Sequence, residues 1–504
     1  MTGDHEGCAE DSGMAARAGV RSDRCGFGHL VRGRVLWSWL AGFLSVVVSG
    51  MTYCFPLYAE YFQTLGVKEA ELNIIGNLQL TAAGLVVLPT ALFHRHLSRR
   101  RSLRAADFWT SLVTGLMMVV GIGVIVIVCK TPLRGTGLVV FISIGLILNG
   151  AAVAVLAHTI WVMGWNLKEK PTLKRFAIAS LSLGYGFGGF LFTILISAWP
   201  ELTPKMDGWA WLLVQTTLSA AVMILRILFM YRNDVDAEAP PRGSASQVSG
   251  VTPSIWHELK WRLDAFWWSE GWHSALCSLM FMSVGIAIGL GITVNTVTAS
   301  LLTTANYGVV GYPTSRDIFE AALTFLGSQV LGRIITLSLQ GLGDCSHVVF
   351  IGGNAMQLAA FAMLWARGGE PTFFLISSAI CGIALGISWT VWPLIVTLHF
   401  PGGVEAVQIN FGLIFVSIAI FCPVLSACTD HILLATAPTI AGCEIVDGVD
   451  FRGPSCYDTV FMVYTMFALL ALVTSSAAAA ILVHRKMKRG KDKGPELQRQ
   501  HTVE

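Results

Sequence analysis

Residues 108–129 read Phe-Trp-Thr-Ser-Leu-Val-Thr-Gly-Leu-Met-Met-Val-Val-Gly-Ile-Gly-Val-Ile-Val-Ile-Val-Cys, twenty-two positions without a charge. A helix needs about 20 mostly apolar residues to cross a bilayer. This run supplies them, with Asp107 before it and Lys130 after it. Working outward, the same signature recurs at 36–58, 73–93, 138–163, 177–198 and 209–231. It returns at 271–295, 319–340, 347–366, 372–396, 406–428 and 459–483. The sequence therefore predicts an all-α polytopic membrane protein with 12 transmembrane helices in two six-helix bundles. The expected domains are an N-terminal tail (1–33), a first bundle (34–231), a linker (232–268), a second bundle (269–484) and a basic tail (485–504).

Composition agrees. Of 504 residues 54% are hydrophobic and 13% charged, with mean hydropathy +0.64. Soluble domains carry about 25% charged residues, so a soluble enzyme is excluded. A net charge of +3 offers no concentrated basic surface for nucleic acid. The expected partners are the lipid bilayer and a small-molecule substrate, with the chain working as a monomer. No cleavable signal is visible in residues 1–33, which are polar and mixed in charge.

Lys and Arg set orientation, because cytoplasmic loops carry the excess. The tails, the linker and the loops after spans two and four hold 25 of them, and the alternate loops hold seven. Only Arg226 and Arg333 fall inside spans. Both termini and the linker are thus expected in the cytoplasm. Within the linker, Ile255, Trp256, Leu259, Leu263, Phe266 and Trp267 fall near helical spacing opposite a charged face. That pattern suits an interfacial amphipathic helix; the alternative is an extension of span seven. Whether the membrane is the plasma membrane or that of an organelle is left open.

Most of the eleven cysteines lie in spans or read as small buried hydrophobes. Cys443 and Cys456 share a long non-cytoplasmic loop, 429–457, where an oxidising milieu permits a disulfide. No Cys or His spacing suits a metal, and no cofactor is expected.

Ionisable groups inside a span are costly and are functional candidates by default. Arg333 lies within an apolar run with Gln329 one turn earlier on the same face. A guanidinium grips a carboxylate bidentately and keeps its proton. Arg333 either contacts substrate or serves a structural or gating role, for instance by pairing with Asp344. His158 is either a hydrogen-bonded packing residue or a proton or substrate site. Asn295, Asn73 and Asn77 suit hydrogen bonds to a neighbouring helix or to a substrate, with helix packing the reading preferred. Glu60, Glu270, Glu320 and Glu405 all fall at span ends, and no acid is placed at mid-membrane, so carboxylate-based proton coupling has little support. Gly184-Tyr185-Gly186-Phe187-Gly188-Gly189 satisfies G-x-G-x-x-G literally. It lies inside span five, so close helix packing explains it better than a nucleotide site.

Certain stretches look familiar together. Gly50-Met51-Thr52-Tyr53-Cys54-Phe55-Pro56-Leu57-Tyr58 is followed by Leu72-Asn73-Ile74-Ile75-Gly76. Later come Gly291-Ile292-Thr293-Val294-Asn295, Gly332-Arg333, Gly341-Leu342-Gly343-Asp344, Trp392-Pro393 and Asn410-Phe411-Gly412. With six plus six spans, the chain resembles the major facilitator superfamily, and more narrowly its nodulin-like branch, related to monocarboxylate carriers. The resemblance covers roughly residues 35–485. It implies two bundles rocking around a midplane site. Two departures stand out. The loop His94-Arg95-His96-Leu97-Ser98-Arg99-Arg100-Arg101 lacks the acid that relatives often carry there. Gln329 stands where monocarboxylate carriers place an acid before the span-eight Arg.

The expected function is secondary transport of a small polar metabolite, foremost an organic anion such as a monocarboxylate. Arg333 would hold its charge, with Gln329, Asn295, Tyr53 and His158 lining the path. Amino-acid or iron-linked solutes are alternatives within the same fold. A non-transporting membrane sensor or receptor, or an intramembrane acyltransferase built on His158, are alternatives of other classes; no catalytic partner for His158 is evident, so the chain is read as a non-enzyme.

Overall fold

A computed structural model describes residues 33–230 except 55–57, 59–60, 63, 68 and 203–207. It then describes 259, 260, 263, 264 and 266, and residues 271–501 except 297–314, 341–344, 368–369, 401–402, 441–442, 447–449 and 453–455. The expected amphipathic helix thus lies largely outside the described residues, and Asp344 lies wholly outside them.

The first bundle contains α1 (Arg34–Ser49), α2 (Glu69–Arg100), α3 (Leu103–Lys130), α4 (Thr136–Asn149), α5 (Ala151–Asn166), α6 (Pro171–Leu202) and α7 (Gly208–Phe229). Helices α4 and α5 meet at Gly150 and together make one span. The second bundle contains α8 (Trp272–Thr296), α9 (Ser315–Gln340), α10 (Ser346–Arg367), α11 (Pro371–His399), α12 (Gly403–Thr436) and α13 (Asp458–His501). Twelve segments among the described residues are long and apolar enough to cross a membrane. Each overlaps one of the twelve runs read from sequence, and α13 continues through the basic tail to His501.

Why these helices hold together follows from where their apolar and small residues point. Leu116, Ile127, Ile224, Met466 and Val473 are exposed on the outer surface, as side chains facing lipid would be. Inward faces carry small residues, since lipid tails give no hydrophobic drive between helices and close packing must do the work. A methyl group at Gly332 of α9 would strike the Ile383 carbonyl, and one at Gly386 of α11 would strike the Gln329 carbonyl. That pair of close approaches fixes the register of α9 on α11, and with it the height of Gln329 and Arg333. Pro89, Pro393 and Pro423 sit inside α2, α11 and α12, where neighbouring helices tolerate the missing donor.

The bundles meet along two seams. Helix α2 packs on α12, where the Asn77 amide donates to Ser426 Oγ at 2.7 Å. Helix α6 packs on α9 and α11. The face where α1 begins and α13 leaves is called the terminal face here. On that side the Lys174 ammonium donates to the Thr397 carbonyl at 3.3 Å. Beyond α12, strands β1 (Glu444–Val446) and β2 (Asp450–Arg452) pair antiparallel, Glu444 opposite Arg452. A disulfide joins Cys443 to Cys456, their Cα atoms 5.1 Å apart.

Candidate functional site

Between the bundles lies a cavity of about 30 Å³, lined in part by Thr52, Tyr53, Gln79, Tyr185, Trp389 and Phe415. The aromatic part of its wall is a connected layer. Tyr53 meets Tyr185 edge-on at 5.2 Å, Tyr185 meets Trp389 at 6.0 Å, and Trp389 meets Phe415 at 5.9 Å. The Thr52 and Tyr185 hydroxyls share a hydrogen bond of 2.8 Å.

Arg333 stands beside this layer, its Cζ 5.9 Å from the Tyr185 ring centroid. It is fully buried and does not reach an interface. Its Nη1 donates to the Ser182 carbonyl and, at 2.9 Å, to Ser182 Oγ. The Ser182 hydroxyl in turn lies 3.1 Å from the Trp389 carbonyl and 3.1 Å from Thr390 Oγ1. Arg333 therefore ties α9 to α6 across the bundles. Its other two nitrogens, Nε and Nη2, are buried with no hydrogen-bond partner. These two N–H groups form one edge of the guanidinium and point the same way, the geometry that matches a carboxylate. Neither amide atom of the buried Gln329 has a hydrogen-bond partner, and the indole N–H of Trp389 has none. The Tyr53 hydroxyl sits in the field of Arg333 and Gln329 without completing a hydrogen bond to either.

Gly186 completes the arrangement. A methyl group there would come within 2.5 Å of Arg333 Nε and 2.8 Å of its Cδ. Other glycines of the same run face the other way: Gly184 lies against Phe43, and Gly188 against the Val47 carbonyl. One helix thus uses one small-residue face to seat α1 and another to make room for the arginine.

The expected site residues separate. Tyr53 lines the cavity; Gln329 and Arg333 are buried near it, Arg333 next to the Tyr185 ring, and neither is among the cavity-lining residues. Asn295 falls on α8, with its side chain outside the described residues. Asn77 serves the bundle seam. His158 is not among the cavity-lining residues. It lies in a second cluster, in the terminal half of the first bundle.

That cluster gathers four helices. His94 of α2 and His158 of α5 place their Nε2 atoms 2.8 and 3.3 Å from Asp107 Oδ1 on α3. An Arg226 nitrogen on α7 lies 2.7 Å from His158 Nδ1, and its Nη1 donates to Thr159 Oγ1 at 2.6 Å. All four charged or titratable residues are buried. The sequence reading left Asp107 outside its span; α3 begins earlier, at Leu103, and takes Asp107 inside. The signal was Ser102, whose Oγ caps the helix by accepting from the Ala105 N–H at 3.1 Å.

No family model matches the sequence, and no curated protein matches it. Solved structures are similar in fold at low identity. The human organic anion transporter MFSD10 (TETRAN) superposes with a TM-score of 0.58 at 11% identity, covering 87% of this chain and 99% of that one. A mutant form of the nucleoside transporter NupG gives 0.58 at 13%, covering 88% and 100%. FucP, a major facilitator superfamily transporter in the outward conformation, gives 0.57 at 12%, covering 88% and 98%. The chain has the major facilitator fold.

Proposed function

We propose that the protein is a secondary transporter of a small organic anion, of the monocarboxylate class, working by alternating access. The observation that carries this reading is the free edge of Arg333, two parallel N–H donors buried next to Tyr185, whose ring lines the cavity. A buried charged donor left without a partner costs more than the roughly 1–3 kcal/mol of a neutral one, and a carboxylate would satisfy both at once. The aromatic wall favours a carboxylate carrying an apolar substituent. An amino acid is a poorer match, because its ammonium would find no acid among the described lining residues. The named activity of MFSD10, organic anion transport, points the same way. Cytoplasmic termini, read from the lysine and arginine bias, and the nodulin-like resemblance are kept as part of this proposal.

The test is uptake of labelled pyruvate into proteoliposomes by the wild type and by Arg333→Gln. Saturable wild-type uptake that the variant loses supports the reading. Equal uptake by both removes Arg333 from the site, and no saturable uptake by either removes the monocarboxylate.

A further inference from the structure

The buried cluster of Asp107, His94, His158 and Arg226 has no part in gripping an anion at Arg333. Three of its atoms, the His94 and His158 ring nitrogens and an Asp107 oxygen, lie within 4.8 Å of one another. Two imidazoles and a carboxylate at that spacing suggest a divalent cation at first sight. Arg226 argues against one. A guanidinium carries donors only, so the atom it faces at 2.7 Å, His158 Nδ1, must be the acceptor. His158 Nε2 then bears the hydrogen and donates it to Asp107. A metal would have to displace that hydrogen. The proton would have to move to Nδ1, where it would confront the arginine N–H.

The same bonding bars His158 from taking a second proton while Arg226 stays. What is left to titrate is the pair His94 and Asp107. The charges acting on His158 are those of Asp107, Arg226 and His94, contributed from α3, α7 and α2. With both imidazoles neutral, the charges of Arg226 and Asp107 balance within these four residues. In the neutral pair His94 Nε2–H already donates to Asp107, so one added proton, on His94 Nδ1 or on the Asp107 carboxylate, makes these four residues singly positive.

The cluster also touches the seam between the bundles. His158 meets Trp161 edge-on at 6.3 Å, Trp161 meets Phe411 of α12 edge-on at 6.3 Å, and Phe411 lies 4.5 Å from Trp392 of α11. A change of charge at Asp107 thus has a packed route, through three rings, to the second bundle.

We infer that His94 and Asp107 form a proton-binding site in the first bundle, fixed by Arg226 through His158, and that its proton is coupled to transport. The coupling rests on the transport reading; the binding of the proton does not.

The experiment has two arms. In the first, the full-length protein in lipid nanodiscs is labelled with 15N-histidine, and the ring signals of His94 and His158 are assigned with His94→Gln and His158→Gln. Between about pH 8 and pH 5, His94 is expected to pass from neutral to protonated, and Asp107→Asn to abolish or displace that step. His158 is expected to hold the Nε2–H tautomer throughout. A His94 that keeps one form over this range overturns the site. So does a stoichiometric shift of both histidines by zinc, which would assign the cluster to a metal. In the second arm, labelled pyruvate uptake into proteoliposomes is compared with and without one pH unit, acid outside, against empty liposomes. One coupled proton raises the accumulation ratio about tenfold, and His94→Gln and Asp107→Asn are each expected to bring that ratio to one. Wild-type uptake that ignores the gradient overturns the coupling while transport stands. No uptake at all fails the transport reading and leaves the histidine titration to decide the site.

Discussion

Gly186→Ala is the sharpest probe of the proposed anion site, because the three atoms nearest a methyl group there all belong to Arg333. A methyl group there would sit 2.5 Å from Arg333 Nε, 2.8 Å from Cδ and 3.0 Å from Cζ, with no other atom as near. Comfortable carbon contacts lie at about 3.5–4.0 Å, so the guanidinium must retreat by about 1 Å. A retreat of that size from one end of a bidentate pair removes one charge-assisted hydrogen bond, about 1.5–3 kcal/mol. Half-saturating pyruvate in proteoliposome uptake is then expected to rise about 10- to 100-fold.

The same substitution carries an internal control. In the wild type the forced shift costs stability, about 1–3 kcal/mol for an overpacked site. In Arg333→Gln the shorter side chain removes the obstacle. Alanine then gains the roughly 0.5–1 kcal/mol by which it exceeds glycine in a helix. Gly186→Ala should therefore lower the melting temperature of the wild type and leave unchanged or raise that of Arg333→Gln. Undisturbed affinity, or equal destabilisation in both backgrounds, would refute the claim that this glycine exists to admit the arginine.

Three further outcomes are expected. Ser182→Ala removes the hydroxyl that Arg333 Nη1 and the Trp389 carbonyl share; with about 1–2 kcal/mol of closure lost, thiol labelling of Thr397→Cys on the terminal face should quicken about tenfold, and an unchanged rate counts against the seam. Replacing Cys443 and Cys456 together by serine opens a loop of sequence separation 13, which the chain-entropy account values at about 3 kcal/mol; the check is a lower melting temperature, with a mass shift of the linked peptides on reduction of the wild type. Gly188→Ala drives a methyl into the Val47 carbonyl and should abolish monodisperse protein in size-exclusion chromatography, whereas Gly352→Ala, which meets nothing within 4 Å, should be neutral.

The twelve spans were legible because an apolar run of about 20 residues has few other uses. The pairing of Gln329 with Arg333 was legible because helical spacing puts residues four apart on one face. What escaped the sequence was whatever needs two helices at once. Ser182 is an unremarkable serine until α6 packs on α9. Gly186 is one glycine among several until the arginine is seen beside it. Asp107 was discounted because the apolar run begins one residue later, and hydropathy does not register a helix that starts before its apolar part. His94 was read as part of the loop after span two, yet α2 runs on to Arg100 and buries it. Hydropathy finds the edge of the membrane; a cap finds the edge of the helix.

The two uses of Arg333 bear on each other. Nη1 holds the first bundle through Ser182, and Nε with Nη2 is the edge offered to an anion. Both belong to one rigid plane, so an anion that draws the free edge toward the cavity must lengthen the bonds on the other. Hydrogen bonds to a charged group are worth about 1.5–3 kcal/mol, enough to shift an equilibrium between two arrangements about 10- to 100-fold. A ligand shifts such an equilibrium only through its different affinity for the two states, and this plane supplies a difference. On the proposed reading an anion is bound best where the tie to Ser182 is weakest, so its binding at Arg333 would favour parting of α6 from α9 on the terminal side. A separate gate is not required for substrate occupancy to bias the rocking of the bundles.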